Sequence, residues 1–149
     1  MTADPIELRF IERGDPLYDA ELELRFRVLR EPLGHPREAV VFPFEAESLH
    51  LVALEGGRVV GCVLFHPESG EDGRLYQMAV VPALQGTGIG TRLVHALESE
   101  LSRRGFRSVH LHARAHVVPF YERLGYAVWG DPFEEVGVPH RHMRRALSS

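Results

Sequence analysis

The chain has 149 residues, 44% of them hydrophobic and 26% charged, with a formal net charge of −4. These are the proportions of one soluble globular domain, 1–149, and not of a fibre, a disordered tail or a basic nucleic-acid binder. No run approaches the roughly 20 apolar residues of a membrane span, and the start Met1-Thr2-Ala3-Asp4 lacks the positive region and apolar core of a signal peptide, so the cytoplasm is the expected compartment.

Ile6 to Ile11 alternates apolar and polar residues, as a half-buried strand does. Asp15-Pro16 can cap a helix in which Leu17, Ala20, Leu24 and Val28 recur at helical spacing until Pro32 forbids continuation, its outer face acidic. Glu31 to Glu47 has four prolines and glycines and no period, which predicts a long irregular loop. The apolar runs Leu49 to Leu54 and Val59 to Phe65 flank Glu55-Gly56-Gly57-Arg58 and predict a β-hairpin. Arg74 to Val81 predicts a central strand ended by Pro82. Ile89, Leu93, Leu97 and Leu101 predict a helix closed at Gly105. Arg107 to Ala113 reads as strand, Val118 to Leu124 as a short helix, Tyr126 to Trp129 and His142 to Ala146 as strands, with 131 to 142 irregular. The order is mixed α and β, with a crossover unit at 74 to 104.

Cys62 is the single cysteine, which excludes an intrachain disulfide; in its apolar run it reads as a buried, inert thiol. All 17 basic residues are arginines and there is no Asn, so lysine Schiff-base and Walker-lysine chemistry are excluded. Between strand and helix lies Gln85-Gly86-Thr87-Gly88-Ile89-Gly90-Thr91. Glycines let the backbone approach an anion, and the first N–H groups of a helix carry partial positive charge, so this loop can hold a pyrophosphate without lysine. A dinucleotide fingerprint fails at Thr91 and a Walker loop lacks its Gly-Lys. Read without a ligand, the same residues are a tight loop and a helix start.

The spacing of Gln85, Gly88 and Gly90 after Met78-Ala79-Val80-Val81-Pro82 resembles the acetyl-coenzyme A signature of the GNAT acyltransferases. Pro119-Phe120-Tyr121-Glu122-Arg123-Leu124-Gly125-Tyr126 is similar to the helix-to-strand segment that follows the cofactor cleft in that superfamily. Leu24-Arg25, Ser48 to Ala53 and Glu135 to His140 with Met143 resemble its ElaA-like branch. The resemblance implies a mixed, mostly antiparallel sheet splayed in a V near residues 80 and 113, with helices on both faces. It implies acetyl-coenzyme A as co-substrate, a small-molecule or peptide amine as acceptor, and a homodimer. The cofactor would contact the backbone of Met78, Ala79 and Val80 and the loop Gln85 to Thr91. Arg92 reads equally as a phosphate ligand or a solvated helix arginine. One departure is the stretch His112 to His116, which holds no Asn where many GNAT proteins carry one.

Acyl transfer to an amine needs a neutral amine and a proton for the departing thiolate. Tyr121 is the candidate acid, since a phenol with pKa about 10 keeps its proton where a thiol of about 8.5 accepts one; the other reading is a packing ring. His112, His140 and Glu47 are the candidate bases, each also readable as a structural or surface group. No metal is expected: His110 and His112 share a strand face without a third ligand. The other class of function is a catalytically silent acyl-coenzyme A-binding module. Residues 31–47 and 131–142 are expected to line the acceptor pocket, with Arg37, Glu45, Glu47, Glu134, Glu135 and His140 offering polar groups to a cationic amine.

Overall fold

The computed structural model describes residues 5–147; the start read above for targeting signals, Met1 to Asp4, lies outside them. Seven strands and three helices follow in the order β1 (Ile6–Ile11), α1 (Leu17–Arg25), β2 (Leu49–Glu55), β3 (Arg58–Pro67), β4 (Asp72–Val80), α2 (Ile89–Arg103), β5 (Ser108–Arg114), α3 (Val118–Arg123), β6 (Ala127–Glu135) and β7 (Val138–Ala146). They form one sheet of order β1-β2-β3-β4-β5-β7-β6. Every pairing is antiparallel except β4 with β5, which is parallel and confined to Asp72↔Ser108, Gly73↔Val109 and Arg74↔His110. Beyond Arg74 and His110 the two strands share no register, so the sheet opens there as a V whose limbs run to Val80 and Arg114.

The apolar runs of β2 and β3 are buried on both faces. Leu51, Ala53, Val63 and Phe65 face the cluster built on Leu93, Leu97 and Leu101 of α2, with Leu111 of β5 and Met143 of β7. Their alternates Val52, Leu54, Cys62 and Leu64 face Leu24 of α1 and Tyr76. Each fully buried leucine contributes roughly 1.5–3 kcal/mol to this arrangement. α1 packs over β3 and β4. Asp15 accepts the Leu17 N–H at 2.8 Å and so caps α1 as the sequence predicts.

Three expectations need correction. α1 ends at Arg25 and continues as a π-helical turn, Phe26–Arg30, before Pro32 stops it. Not all of its charge lies on the outer face, because Glu21 and Arg25 are fully buried. The segment 131–142 is not irregular: β6 and β7 form a long hairpin closed by Val136-Gly137. Pro132 and Gly130 are accommodated by a register shift between Trp129 and Phe133, and Pro139 precedes the first β5–β7 pair, Arg114↔His140.

Candidate active site

The loop after β4 is tied to its strand by Gln85, whose Nε2 donates to the Val80 carbonyl at 2.9 Å. Thr87 Oγ1 donates to the Leu84 carbonyl at 2.5 Å. Gly86 and Gly88 have φ of +80° and +94°, the left-handed region that glycine adopts without strain, and Gly88 opens α2. A Cβ at either would meet nothing within 4 Å, so the space above the loop is open. The N–H groups of Gly86, Gly88, Ile89, Gly90 and Thr91 find no acceptor among the described residues. The Ile89 side chain is meanwhile buried in the core. Gly90 allows a close approach: a Cβ there would lie 3.2 Å from the Phe120 ring and 3.4 Å from Met78 Cε. Arg92 turns away from the loop and donates to the Ile6 carbonyl at 3.2 Å, joining α2 to β1.

Beside this loop β4 carries a bulge that the sequence did not announce. Cys62 pairs with Ala79 and Leu64 with Tyr76, so Gln77 and Met78 together oppose Val63. Gln77 takes φ of +53°, unusual for a residue with a side chain. Its carbonyl accepts from Cys62 Sγ at 3.3 Å, and its side-chain oxygen accepts from Arg25 Nε at 3.5 Å. Met78, in the bulge, and Ala79 and Val80 after it therefore lead into the glycine loop along the limb of the V. Cys62 is fully buried, and burial pushes its thiol up, which suits an inert role.

Tyr121 lies on α3, its ring edge-on to Phe120 at 5.0 Å and to Tyr126 at 5.7 Å. Burial pushes its phenol up, so it holds its proton. The chain has four tyrosines. Tyr18 donates to Glu45 at 2.6 Å, Tyr76 shares a bond with Ser48 at 2.8 Å and Tyr126 donates to Glu98 at 2.8 Å. The Tyr121 hydroxyl alone bonds to no described residue.

On the face of β5 opposite α2 the hairpin β6–β7 supplies a polar cluster. His112 Nδ1 lies 2.8 Å from Glu135 Oε1. His140 donates through Nδ1 to the Val138 carbonyl at 2.9 Å and brings Nε2 to 3.6 Å from Glu135 Oε2. Arg74 Nη2 stands 3.8 Å from the same carboxylate. The hydrogen bond from His112 holds Glu135 below the usual carboxylate range, against the opposing effect of burial. Two predicted bases thus meet on a hub, Glu135, for which the sequence predicts no catalytic role. Glu47 is not part of this cluster. It is exposed on the short turn Glu45–Glu47, where it lines a hollow of about 600 Å³ with Phe10, Gly14 and Arg104 at the other end of the sheet from the glycine loop.

Two further pocket expectations are corrected. Glu45 is buried and bound by Arg25, and Arg37 pairs with Glu23 while lying over the Phe26 ring at 4.4 Å. Glu21, Glu45 and His50 bring three ligand-type atoms within 4.8 Å of one another, but the Arg25 guanidinium already bonds both carboxylates. That cluster is an ion-pair network by its own chemistry.

Residues 35–147 match the family model described as an acetyltransferase (GNAT) domain. The chain belongs to the GNAT acetyltransferases. A relative in Bacillus subtilis (strain 168) called an uncharacterized N-acetyltransferase, YjcF, is 31% identical over 111 residues, 74% of this chain and 79% of that protein. The GNAT fold is shared with Escherichia coli ElaA, at 21% identity and a TM-score of 0.84 over 95% of this chain and 99% of that one. It is shared also with an aminoglycoside 6'-N-acetyltransferase complexed with coenzyme A, at 21% identity and a TM-score of 0.77 over 96% and 98% of the two chains. The seven-stranded, mostly antiparallel sheet flanked by helices is that of a GNAT enzyme, and the chain is an acyltransferase. Among the described residues no helix is long and apolar enough to cross a membrane.

Proposed function

We propose that this protein transfers the acetyl group of acetyl-coenzyme A to a primary amine of a small molecule or peptide, by direct attack in a ternary complex. The observation that carries the reading is the set of unengaged N–H groups of Gly86, Gly88, Ile89, Gly90 and Thr91 at the open limb of the V. A pyrophosphate suits that set, because the N–H groups and the α2 dipole supply positive character without a lysine. Met78 to Val80 would hold the extended part of the cofactor along β4. When bound, the thioester supplies an activated acyl group.

The residues of the chain account for the protons. With Nδ1–H donating to Glu135, a neutral His112 presents an unprotonated Nε2 to the amine, and the carboxylate stabilises the imidazolium that results. His140, held at Val138, keeps Glu135 in place from its other oxygen. Tyr121 holds at Oη the proton that a departing thiolate takes up. The burial of Cys62, the chain's single thiol, supports direct attack over an acyl-cysteine intermediate.

The test is a calorimetric titration with acetyl-coenzyme A of the wild type and Gly88→Glu, followed by a thiol-release assay across an amine panel. We expect micromolar binding that Gly88→Glu abolishes, and amine-dependent thiol release. No binding by folded wild type overturns the site; binding with no turnover on any amine favours the silent module.

A further inference from the structure

We infer that the acceptor carries an anionic group, a carboxylate or phosphate, that docks on Arg30 and Arg114 while its amine faces His112. This rests on the acetyl-transfer reading above and names the substrate class for that site. Buried guanidinium groups in folded proteins are paired with carboxylates, because an uncompensated charge away from water is costly. Arg25 obeys the rule, with Glu21 and Glu45 both bonded to it. Arg30 does not. It is only 7% exposed, its Nη1 donates at 3.2 Å to the carbonyl of its own neighbour Leu29, and its Nε has no partner. Arg114 Nη2 donates to that same Leu29 carbonyl at 2.6 Å. Two guanidinium groups thus converge on one neutral oxygen, and neither forms an ion pair among the described residues.

The carboxylate whose charge reaches both is Glu135, which is committed to His112, His140 and Arg74. Arg74 Nε is likewise buried without a partner. Three guanidinium groups therefore share one carboxylate, an excess of positive charge built into a half-buried site. Burial lowers the pKa of Arg30 and of Arg114, and the Arg114 charge lowers that of Arg30 further, the response expected where a counter-anion is missing.

The place is that of an acceptor subsite. Arg30 ends the π-helical turn that packs against β4, and Arg114 ends β5 beyond the last β4–β5 register pair, so the two bridge the open end of the V on the His112 face. The planar fork of arginine matches carboxylate and phosphate oxygens in pairs.

The experiment measures thiol release at saturating acetyl-coenzyme A for matched probes: L-amino acids against their C-terminal amides, and O-phosphoethanolamine against ethanolamine. The first set reports a carboxylate, the second a phosphate. We expect kcat/KM at least tenfold higher for the anionic member of one set. In Arg114→Gln and Arg30→Gln that ratio should fall at least tenfold through KM, with acetyl-coenzyme A affinity and Tm retained, and Arg114→Lys should restore part of it. Equal or faster turnover of the neutral members, or a ratio that survives both Gln variants, overturns the inference. If acetyl-coenzyme A binds but no amine reacts, the transfer reading fails separately. The anion site is then judged by Tm in millimolar inorganic phosphate with acetyl-coenzyme A bound: a rise lost in Arg114→Gln supports it, and no difference overturns it.

Discussion

Arg25 Nη2 lies 2.6 Å from Glu45 Oε2, with both side chains fully buried, so a helix and a loop residue 20 positions apart in sequence are joined by an ion pair inside the protein. Glu45 also accepts from Tyr18 and from the Phe42 N–H at 2.8 Å. Arg25 holds Glu21 at 2.7 Å and reaches the Gln77 side chain at the β4 bulge. Removing Glu45 strands several of these partners at once. We expect Glu45→Ala to lower stability by about 3–5 kcal/mol, measured by urea unfolding. A loss below about 1 kcal/mol would show the network to be energetically idle.

The same network makes stability depend on pH through His50. Its Nδ1 faces Glu21 Oε2 at 3.0 Å and its Nε2 the Glu45 carbonyl at 2.9 Å, two acceptors that favour a doubly protonated ring. Burial lowers its pKa, but the hydrogen bond and charge of Glu21, with smaller help from Glu45, outweigh burial and leave it raised. A raised folded pKa means that the stabilisation is complete below the unfolded value of about 6.5 and is lost as pH climbs through the folded value. Urea midpoints stepped upward from pH 6 should fall in the wild type and flatten in His50→Gln. A wild-type midpoint that rises over this interval would refute the assignment.

Tyr121→Phe deletes a hydroxyl that bonds to no described residue, so Tm should hold. As the general acid its loss should lower kcat by at least 10²-fold with acetyl-coenzyme A affinity unchanged. Steady-state thiol release and calorimetry on one preparation check both. Unaltered kcat would return Tyr121 to a packing role.

Gly73 is the middle register pair of β4 and β5, opposite Val109. A Cβ there would collide with the His66 carbonyl oxygen and the Phe65 ring. Because backbone must move to make room, Gly73→Ala should destabilise by about 1–3 kcal/mol, read from thermal unfolding.

What the sequence made legible follows from period and punctuation. The Gly56-Gly57 hairpin closes at Glu55↔Arg58 as expected, and α2, β5 and α3 lie where apolar spacing and Gly105 and Gly125 put them. The glycine loop was legible because Gly86 and Gly88 do their work through the backbone, which needs no distant partner. The burial of Glu21 and Arg25 was not legible because a helical pattern assigns charge to solvent, and the group that justifies burying them, Glu45, sits in a stretch without any period. The hub at Glu135 was hidden likewise: Pro132, Gly130 and Pro139 argue against strand locally, and pairing with β7 overrules them. The bulge at Gln77 left no mark, since nothing in Leu75 to Val80 departs from a regular strand.

Only three register pairs join β4 to β5, so the sheet is two blades, β1 to β4 and β5 to β7, riveted at one end and spread at the other. Along the spread edges the two strands share no register, and under the proposed function the extended part of the cofactor would lie between them as a false rung. A ligand held there would couple the blades. Amide exchange along Leu111 to Arg114 and the facing edge of β4 should therefore slow on ligand binding more than exchange within the antiparallel pairs on either side.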